Sequence, residues 1–193
     1  MGVLIYSMTM SLDGNVADAD GDFDWGDPGP EAFAFVTESF RPVSTHLYGR
    51  RNYELMTYWQ SAYRDAGASE LDEDFAAVWQ GSDKIVYSTT LPEVSTPRTR
   101  LERSFEPDVV RRLKDEAAGD LVIAGPTLAA QALRAGLVDE IAAYVAPVVL
   151  GGGKRFLPDG LRLDLELLDQ RRLGRNGYLR FRVQGERTGP WAS

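Results

Sequence analysis

The sequence predicts an α/β protein on a mostly parallel sheet with a mixed edge, folded as one domain over residues 1–193. Three observations carry that reading. Short apolar runs of strand length alternate with amphipathic stretches of helix length, the pattern of strand–helix–strand units. The C-terminal part instead holds two alternating segments joined by "GRNG", an antiparallel hairpin with one solvated face. The length suits one large core, and no internal repeat or linker divides it.

The elements follow in order. "VLIYSMTM" (3–10) is a buried strand, rich in β-branched and large apolar residues and ended by "SLDGN". A long loop follows to Pro30, dense in Gly, Asp and Pro and therefore not helical, with Phe23 and Trp25 as apolar anchors. "PEAFAFVTESF" (30–40) is a helix with Pro30 in its first turn and Phe33, Val36 and Phe40 spaced for one face. "VSTHLYG" (43–49) is the second strand, and "RRNYELMTYW" (50–59) a short helix starting directly after Gly49. Residues 60–74 carry little signal, while "LDEDFAAVWQG" (71–81) reads as a helix closed by Gly81.

"KIVYST" (84–89) and "TRLERSF" (99–105) are the third and fourth strands. "EPDVVRRLKDEAAG" (106–119) is a helix opened by Pro107 and stopped by Gly119. "DLVIAG" (120–125) is a buried strand. "PTLAAQALRAG" (126–136) is a small-residue helix with Thr127 as N-cap and Gly136 as terminator. "VDEIAAYVAPVVLG" (138–151) reads as one long strand, and 161–173 and 178–185 form the hairpin.

Composition narrows the function. Acidic side chains outnumber basic ones 29 to 21, giving a net charge of −8, which argues against nonspecific nucleic-acid binding. There are no cysteines and only one histidine, His46, so a thiolate zinc site or a histidine cluster is not expected, nor a cysteine nucleophile. We assign no metal site. His46 lies in an apolar run and reads as a structural residue. No apolar stretch reaches the ~18 residues of a membrane span. The chain opens in "GVLIYSMTM" without a secretory leader pattern, so we expect a cytoplasmic protein and no membrane partner.

Three strand-to-helix junctions carry residues suited to an anion. Gly49-Arg50-Arg51-Asn52 combines close backbone approach with two guanidinium groups. Ser88-Thr89-Thr90 places hydroxyls at the end of the third strand. Ala124-Gly125-Pro126-Thr127 ends a strand and opens a helix. Singly each reads as a turn or a solvated face; together they suit one extended, phosphate-bearing dinucleotide. The G-x-G-x-x-G fingerprint is absent, so the usual Rossmann site is not expected. "PVVLGGGKRF" (147–156) is no Walker loop either, because no Ser or Thr follows Lys154, and Pro158 and Gly160 prevent a helix. Its glycines turn a corner.

"SLDGNVA", "YGRRNYE", "VYST" and "GLVDEIAAYVAPVVLGGGKRF", in that order from Val3 to Val183, resemble the dihydrofolate reductase-like fold. The nearer likeness is to the reductase C-terminal domain of bifunctional riboflavin-biosynthesis deaminase/reductases, as a stand-alone member. The resemblance implies three α/β/α layers and an NADPH-dependent oxidoreductase. The implied reaction is hydride transfer to a 5-amino-6-(5-phosphoribosylamino)uracil-like substrate. It implies Thr9, Val16 and Ala17 at the nicotinamide, and Gly49, Arg50, Arg51 and Asn52 at the pyrophosphate and 2′-phosphate. Ser88 and Thr89 fall beside the adenosine ribose phosphate, and Gly125, Pro126, Thr127 and Leu128 against the pyrophosphate. Relatives with this fold pair through the C-terminal part of the sheet, so a homodimer is expected.

One departure bears on the substrate. The riboflavin reductases carry Glu-Gly-Gly where this chain has Ala124-Gly125-Pro126, which puts the phosphoribosyl-pyrimidine in question more than the cofactor. As proton donors, Asp13 and Glu31 are the carboxylates nearest the pocket in sequence. Each has a structural alternative, Asp13 as a turn residue in "DG" and Glu31 as a first-turn dipole partner. Two other readings stand beside the leading one. A dihydrofolate or pterin reductase would need an acid on the first helix, for which Glu31 is the candidate. A dinucleotide-binding protein without turnover would have a closed substrate side.

Overall fold

The computed structural model describes residues 1–65 and 67–184. Its main sheet has eight strands: β1 (Leu4–Ser11), β3 (Val43–Gly49), β4 (Asp83–Tyr87), β5 (Thr99–Glu102), β6 (Asp120–Ala124), β7 (Glu140–Ala146), β9 (Asp164–Leu173) and β10 (Asn176–Gln184). A small ribbon pairs β2 (Asn15–Ala17) with β8 (Lys154–Arg155). The order across the main sheet is β5-β4-β3-β6-β1-β7-β10-β9. All pairs from β5 to β7 are parallel, and β10 runs antiparallel to both its neighbours.

Helices cover both faces. On one side α5 (Pro107–Glu116) and α6 (Pro126–Arg134) bury Val110, Leu128, Ala129, Ala132 and Leu133 against Leu4, Tyr6, Leu121, Ile123 and Ile141. On the other, α1 (Gly29–Phe40) sets Ala32, Phe35, Val36 and Phe40 over Ile5, Val122, Ala142 and Tyr144. α4 (Glu70–Gly81) packs beside α1 and buries Phe75, Ala76 and Trp79. Successive strand residues point to opposite faces, so one strand serves both layers. The result is the three-layer α/β/α arrangement that the resemblance implies.

Several boundaries differ from expectation, each for a local reason. The loop after β1 contains β2 and a 3-10 turn at Asp24–Gly26. The segment after α2 (Arg50–Met56) tightens into a 3-10 turn, Thr57–Gln60, before the single turn α3 (Ala62–Asp65). α5 stops at Glu116 rather than at Gly119. Gly119 answers to a close approach instead, since an added Cβ would sit 2.5 Å from the Pro42 carbonyl oxygen. β7 ends at Ala146 because Pro147 cannot donate to a ladder. Thr127 is not the cap of α6; Gly125, at φ +98, takes that position without any side-chain hydrogen bond. The hairpin turns in two residues, Gly174 and Arg175, rather than the four of "GRNG". Gly185, the expected last residue of its second strand, lies outside the described residues.

Candidate functional site

Parallel strands whose helices cross on both faces leave a crevice beyond their carboxyl ends. Here it forms a cavity of about 1030 Å³. Its floor is Ser7, Met8 and Thr9 of β1, Val122 and Ala124 of β6, Tyr48 of β3 and Tyr144 of β7. One wall is the loop after β1, with Val16, Ala17, Gly21, Phe23, Trp25 and Gly26. The opposite wall is helical, from Val36 and Phe40 to Leu55, Met56, Tyr58, Trp59 and Phe75. A second cavity of about 550 Å³ adjoins it, lined by Tyr87, Ser88, Thr89, Arg103, Ser104, Phe105 and Gln131. Gly49, Arg50, Thr127 and Leu128 line both, so the two form one groove across the edges of β3 and β6.

The passage between them is built by two helix starts. α2 and α6 both have a glycine at the N-cap and no side-chain cap, leaving first-turn N–H groups without a side-chain acceptor. The two ends converge: a Cβ on Gly125 would lie 3.8 Å from the Gly49 nitrogen and 4.0 Å from the Asn52 Cβ. Gly125 also holds a positive φ that a side chain would strain. Arg50 stands beside this junction, donating to the Thr90 hydroxyl at 3.0 Å and pairing with Glu54 at 3.4 Å. Arg51 leans the other way, its guanidinium 3.2 Å from where a Gly21 Cβ would be, and so stands against the loop wall. Uncapped N–H groups, a glycine cradle and adjacent guanidinium groups fit the pyrophosphate of a dinucleotide.

The structure therefore gathers Thr9, Val16, Ala17, Gly49, Arg50, Arg51, Asn52, Gly125, Pro126, Thr127 and Leu128 around one cavity. Ser88 and Thr89 lie in the adjoining one. Asp13 and Glu31 line neither. The Asp13 carboxylate accepts hydrogen bonds from the Ser11 hydroxyl at 2.7 Å and from the Leu150 and Gly151 N–H groups at 3.1 and 2.8 Å. The Ser11 bond first, then the Leu150 bond, hold its pKa down to about 2. Asp13 is a clasp joining two loops, which is its turn-residue reading in a stronger form. Glu31 is exposed, and its carboxylate lies near Gly174 in the β9–β10 turn, 3.7 Å from where a Cβ there would be.

The remaining chemistry at the floor is neutral. Glu54 is the one carboxylate among the described lining residues, and it pairs with Arg50. Burial pushes the Tyr48 and Tyr144 hydroxyls well above the ordinary phenol range, so both stay protonated. The glycine turn behaves as its sequence indicated: Gly153, at φ +125, lets β8 pair with β2, and a Cβ there would fall 2.1 Å from the Ala17 carbonyl oxygen. Sequence reasoning missed Arg103, Gln131 and the helical aromatic wall. Gln131 was accessible, one helical turn beyond Thr127. Arg103 was not, because only the β5–β4 pairing brings it to the groove. Among the described residues no helix is long and apolar enough to cross a membrane, and no group of acidic and histidine side chains is placed to hold a metal.

Comparison with known proteins gives the same picture at the level of family and fold. The chain is 25% identical over 169 residues to the uncharacterized protein YyaP of Bacillus subtilis (strain 168), covering 87% of each. A putative riboflavin biosynthesis protein from Shewanella sp. PV-4 superposes on 96% of this chain and 100% of its own, with a TM-score of 0.69 at 19% identity. Dihydrofolate reductase from Enterococcus faecalis, solved with NADP(H), superposes on 95% of this chain and 98% of its own, with a TM-score of 0.56 at 13% identity. At those identities the likeness shows the dihydrofolate reductase-like fold. The model of the RibD C-terminal domain matches residues 3–178. This chain belongs to the RibD C-terminal domain family.

Proposed function

We propose that this protein is an NADPH-dependent reductase of the riboflavin-biosynthesis type, acting as a homodimer. The observation that carries this reading is the convergence of two uncapped, glycine-led helix starts and Arg50 on the passage between the two cavities. In this reading the dinucleotide would supply a hydride at the large cavity, and the chain does the rest. Gly49 and Gly125 admit the pyrophosphate to backbone N–H groups. Arg50 and Arg51 neutralise phosphate charge, with Ser88, Thr89 and Arg103 around the adenosine end. Thr9, Val16 and Ala17 orient the nicotinamide, while Phe23 and Trp25 keep water from its reacting face. With Asp13 and Glu31 turned elsewhere, the proton that completes the reduction comes from solvent at the cavity mouth.

The family resemblance points to a phosphoribosylaminouracil as the reference acceptor. A pterin acceptor draws no support from α1, since Glu31 faces the hairpin turn. A binding protein without turnover draws none from the acceptor side, where the cavity is open between loop and helices. Replacing Arg50 and Arg51 with Ala tests the cofactor assignment. A charge-assisted hydrogen bond contributes ~1.5–3 kcal/mol, so NADPH should bind at least about tenfold more weakly. NADH, lacking the 2′-phosphate, should change much less in the same calorimetric titration. Equal losses for both cofactors would remove these arginines from the 2′-phosphate.

A further inference from the structure

The acceptor end of the large cavity differs in chemistry from the cofactor end. Its helical wall comes from α1, the end of α2, the 3-10 turn after it, and α4. These place Val36, Phe40, Leu55, Trp59 and Phe75 toward the space, and no charged side chain of α1, the 3-10 turn or α4 lines it. The wall is one contiguous aromatic body. Trp59 and Phe75 have ring centroids 4.7 Å apart, Phe33 and Trp59 5.5 Å, and Phe40 and Phe75 6.1 Å. Trp25 faces it from the loop. The cations of the cavity come from α2 and β8: Arg50 pairs with Glu54, Arg51 stands against Gly21, and Lys154 lies on β8 opposite Ala17.

A phosphate taken to this wall would lose its hydration and meet no guanidinium or ammonium group on those three elements. A flat, neutral ring would stack there and bury apolar area on both faces. On the floor, Ser7 lines the cavity from β1, and its hydroxyl offers a donor to an acceptor oxygen.

Resting on the reductase reading above, we propose that the acceptor is an uncharged, planar, conjugated carbonyl compound of the quinone or cyclic enone class, without a phosphate. The hydride brings two electrons to a conjugated carbon. The π electrons move onto the carbonyl oxygen, held by Ser7, and a proton from solvent neutralises it. The acceptor gains two electrons and two hydrogens in all, and NADPH is oxidised to NADP⁺.

The test is calorimetric. NADP⁺ is titrated first; failure to bind would refute the cofactor reading and not this one. Menadione, a neutral bicyclic quinone, and 5-amino-6-(5-phosphoribosylamino)uracil are then titrated into the NADP⁺-saturated protein. The cofactor-free protein is titrated in parallel, so the wall is tested in either event. Menadione should bind at least tenfold more tightly than the phosphorylated pyrimidine. Leu55 is 51% exposed while lining the cavity, so Leu55→Arg adds a cation without disturbing the core. It should weaken menadione about tenfold and narrow the gap to the phosphorylated ligand, with NADP⁺ affinity unchanged. Tighter binding of the phosphorylated pyrimidine, no binding of menadione, or an unchanged preference in Leu55→Arg would each overturn the proposal.

Discussion

His46 gives the most sharply determined prediction. Its ring is completely buried between Phe40, at 5.1 Å, and Tyr48, stacked at 5.5 Å, and neither ring nitrogen has a hydrogen-bond partner among the described residues. On the neighbouring strand Lys84 is also buried, its ammonium donating to the Trp79 and Ser82 carbonyls at 2.9 Å each and lying 4.4 Å from the Trp79 ring. Burial first, then the Lys84 charge, lower the His46 pKa from 6.5 to about 3. The folded-state value is below the unfolded one, so the folded protein binds fewer protons in between. Stability from this group is therefore fully present above pH 6.5 and is lost as pH falls toward 3.

The loss approaches about 1.4 kcal/mol per pH unit within that window and amounts to about 2.7 kcal/mol between pH 7.5 and 4.5. His46 is the only histidine, so no other imidazole shares the effect. His46→Phe keeps an aromatic ring in the gap and removes the proton site. Unfolding by urea at pH 7.5, 6.5, 5.5 and 4.5 should show the native protein losing stability relative to the variant by about that amount, with equal m-values. Asp13 titrates near 2 and contributes equally to both proteins. Two curves that stay parallel from pH 7.5 to 4.5 would refute the argument. They would mean that His46 is reached by water or is hydrogen-bonded in solution.

The other predictions concern the groove and its surroundings. Gly125→Ala forces a side chain to φ +98, costing about 1–3 kcal/mol of stability, and crowds the Gly49 nitrogen; NADPH affinity should fall in calorimetry while acceptor binding holds. Asp13→Asn weakens the clasp on Leu150 and Gly151, so amide exchange across residues 14–28 should speed up in the variant, and NADPH should slow it in the native protein. Exchange equally slow with and without cofactor would mark that loop as a fixed connection. Leu165 and Leu167 remain 39% and 49% exposed on the edge strand β9, so light scattering should give twice the 21.4 kDa chain mass; a monomer at micromolar concentration would refute pairing there.

The fold was legible wherever local pattern and tertiary context agree. β3 occupies the seven residues of "VSTHLYG", and the alternating hairpin segments pair antiparallel, with one bulge in β9 opposite Arg180 and Phe181. β2 and β8 were not legible. They are three and two residues long, their partners are far apart in sequence, and their register depends on a close approach at Gly153. The α6 cap was misread because Thr favours that position by propensity. The backbone instead enters the helix through a positive φ, which only glycine adopts without strain. Phe33, Val36 and Phe40 were read as one face of α1, and the structure sets Val36 and Phe40 on the cavity. That same spacing already spoke against Glu31. At 3.6 residues per turn, Glu31 lies about 140° from Val36 and about 180° from Phe40. Its closeness in sequence to the pocket concealed that it points away.

The two ends of the groove follow from different parts of the sequence, and this decides how far family membership reaches. The cofactor end is built from strand termini, two helix starts and the glycines that let them converge. Those features come with the sheet order, and a chain that keeps the fold keeps most of them. The acceptor end is built from side chains on α1, α2, the 3-10 turn and α4, which can change without moving a strand. Phe40, Trp59 and Phe75 could be polar in a relative with the same backbone. At 19% identity to a putative riboflavin biosynthesis protein, the shared architecture shows the fold and leaves the acceptor to the residues of the wall. Those residues, Val36, Phe40, Leu55, Trp59 and Phe75, are apolar and uncharged. The proline at 126 belongs to the same division: it stiffens the turn proposed for the cofactor, whereas Ala124, on the floor of the cavity, places no acid there.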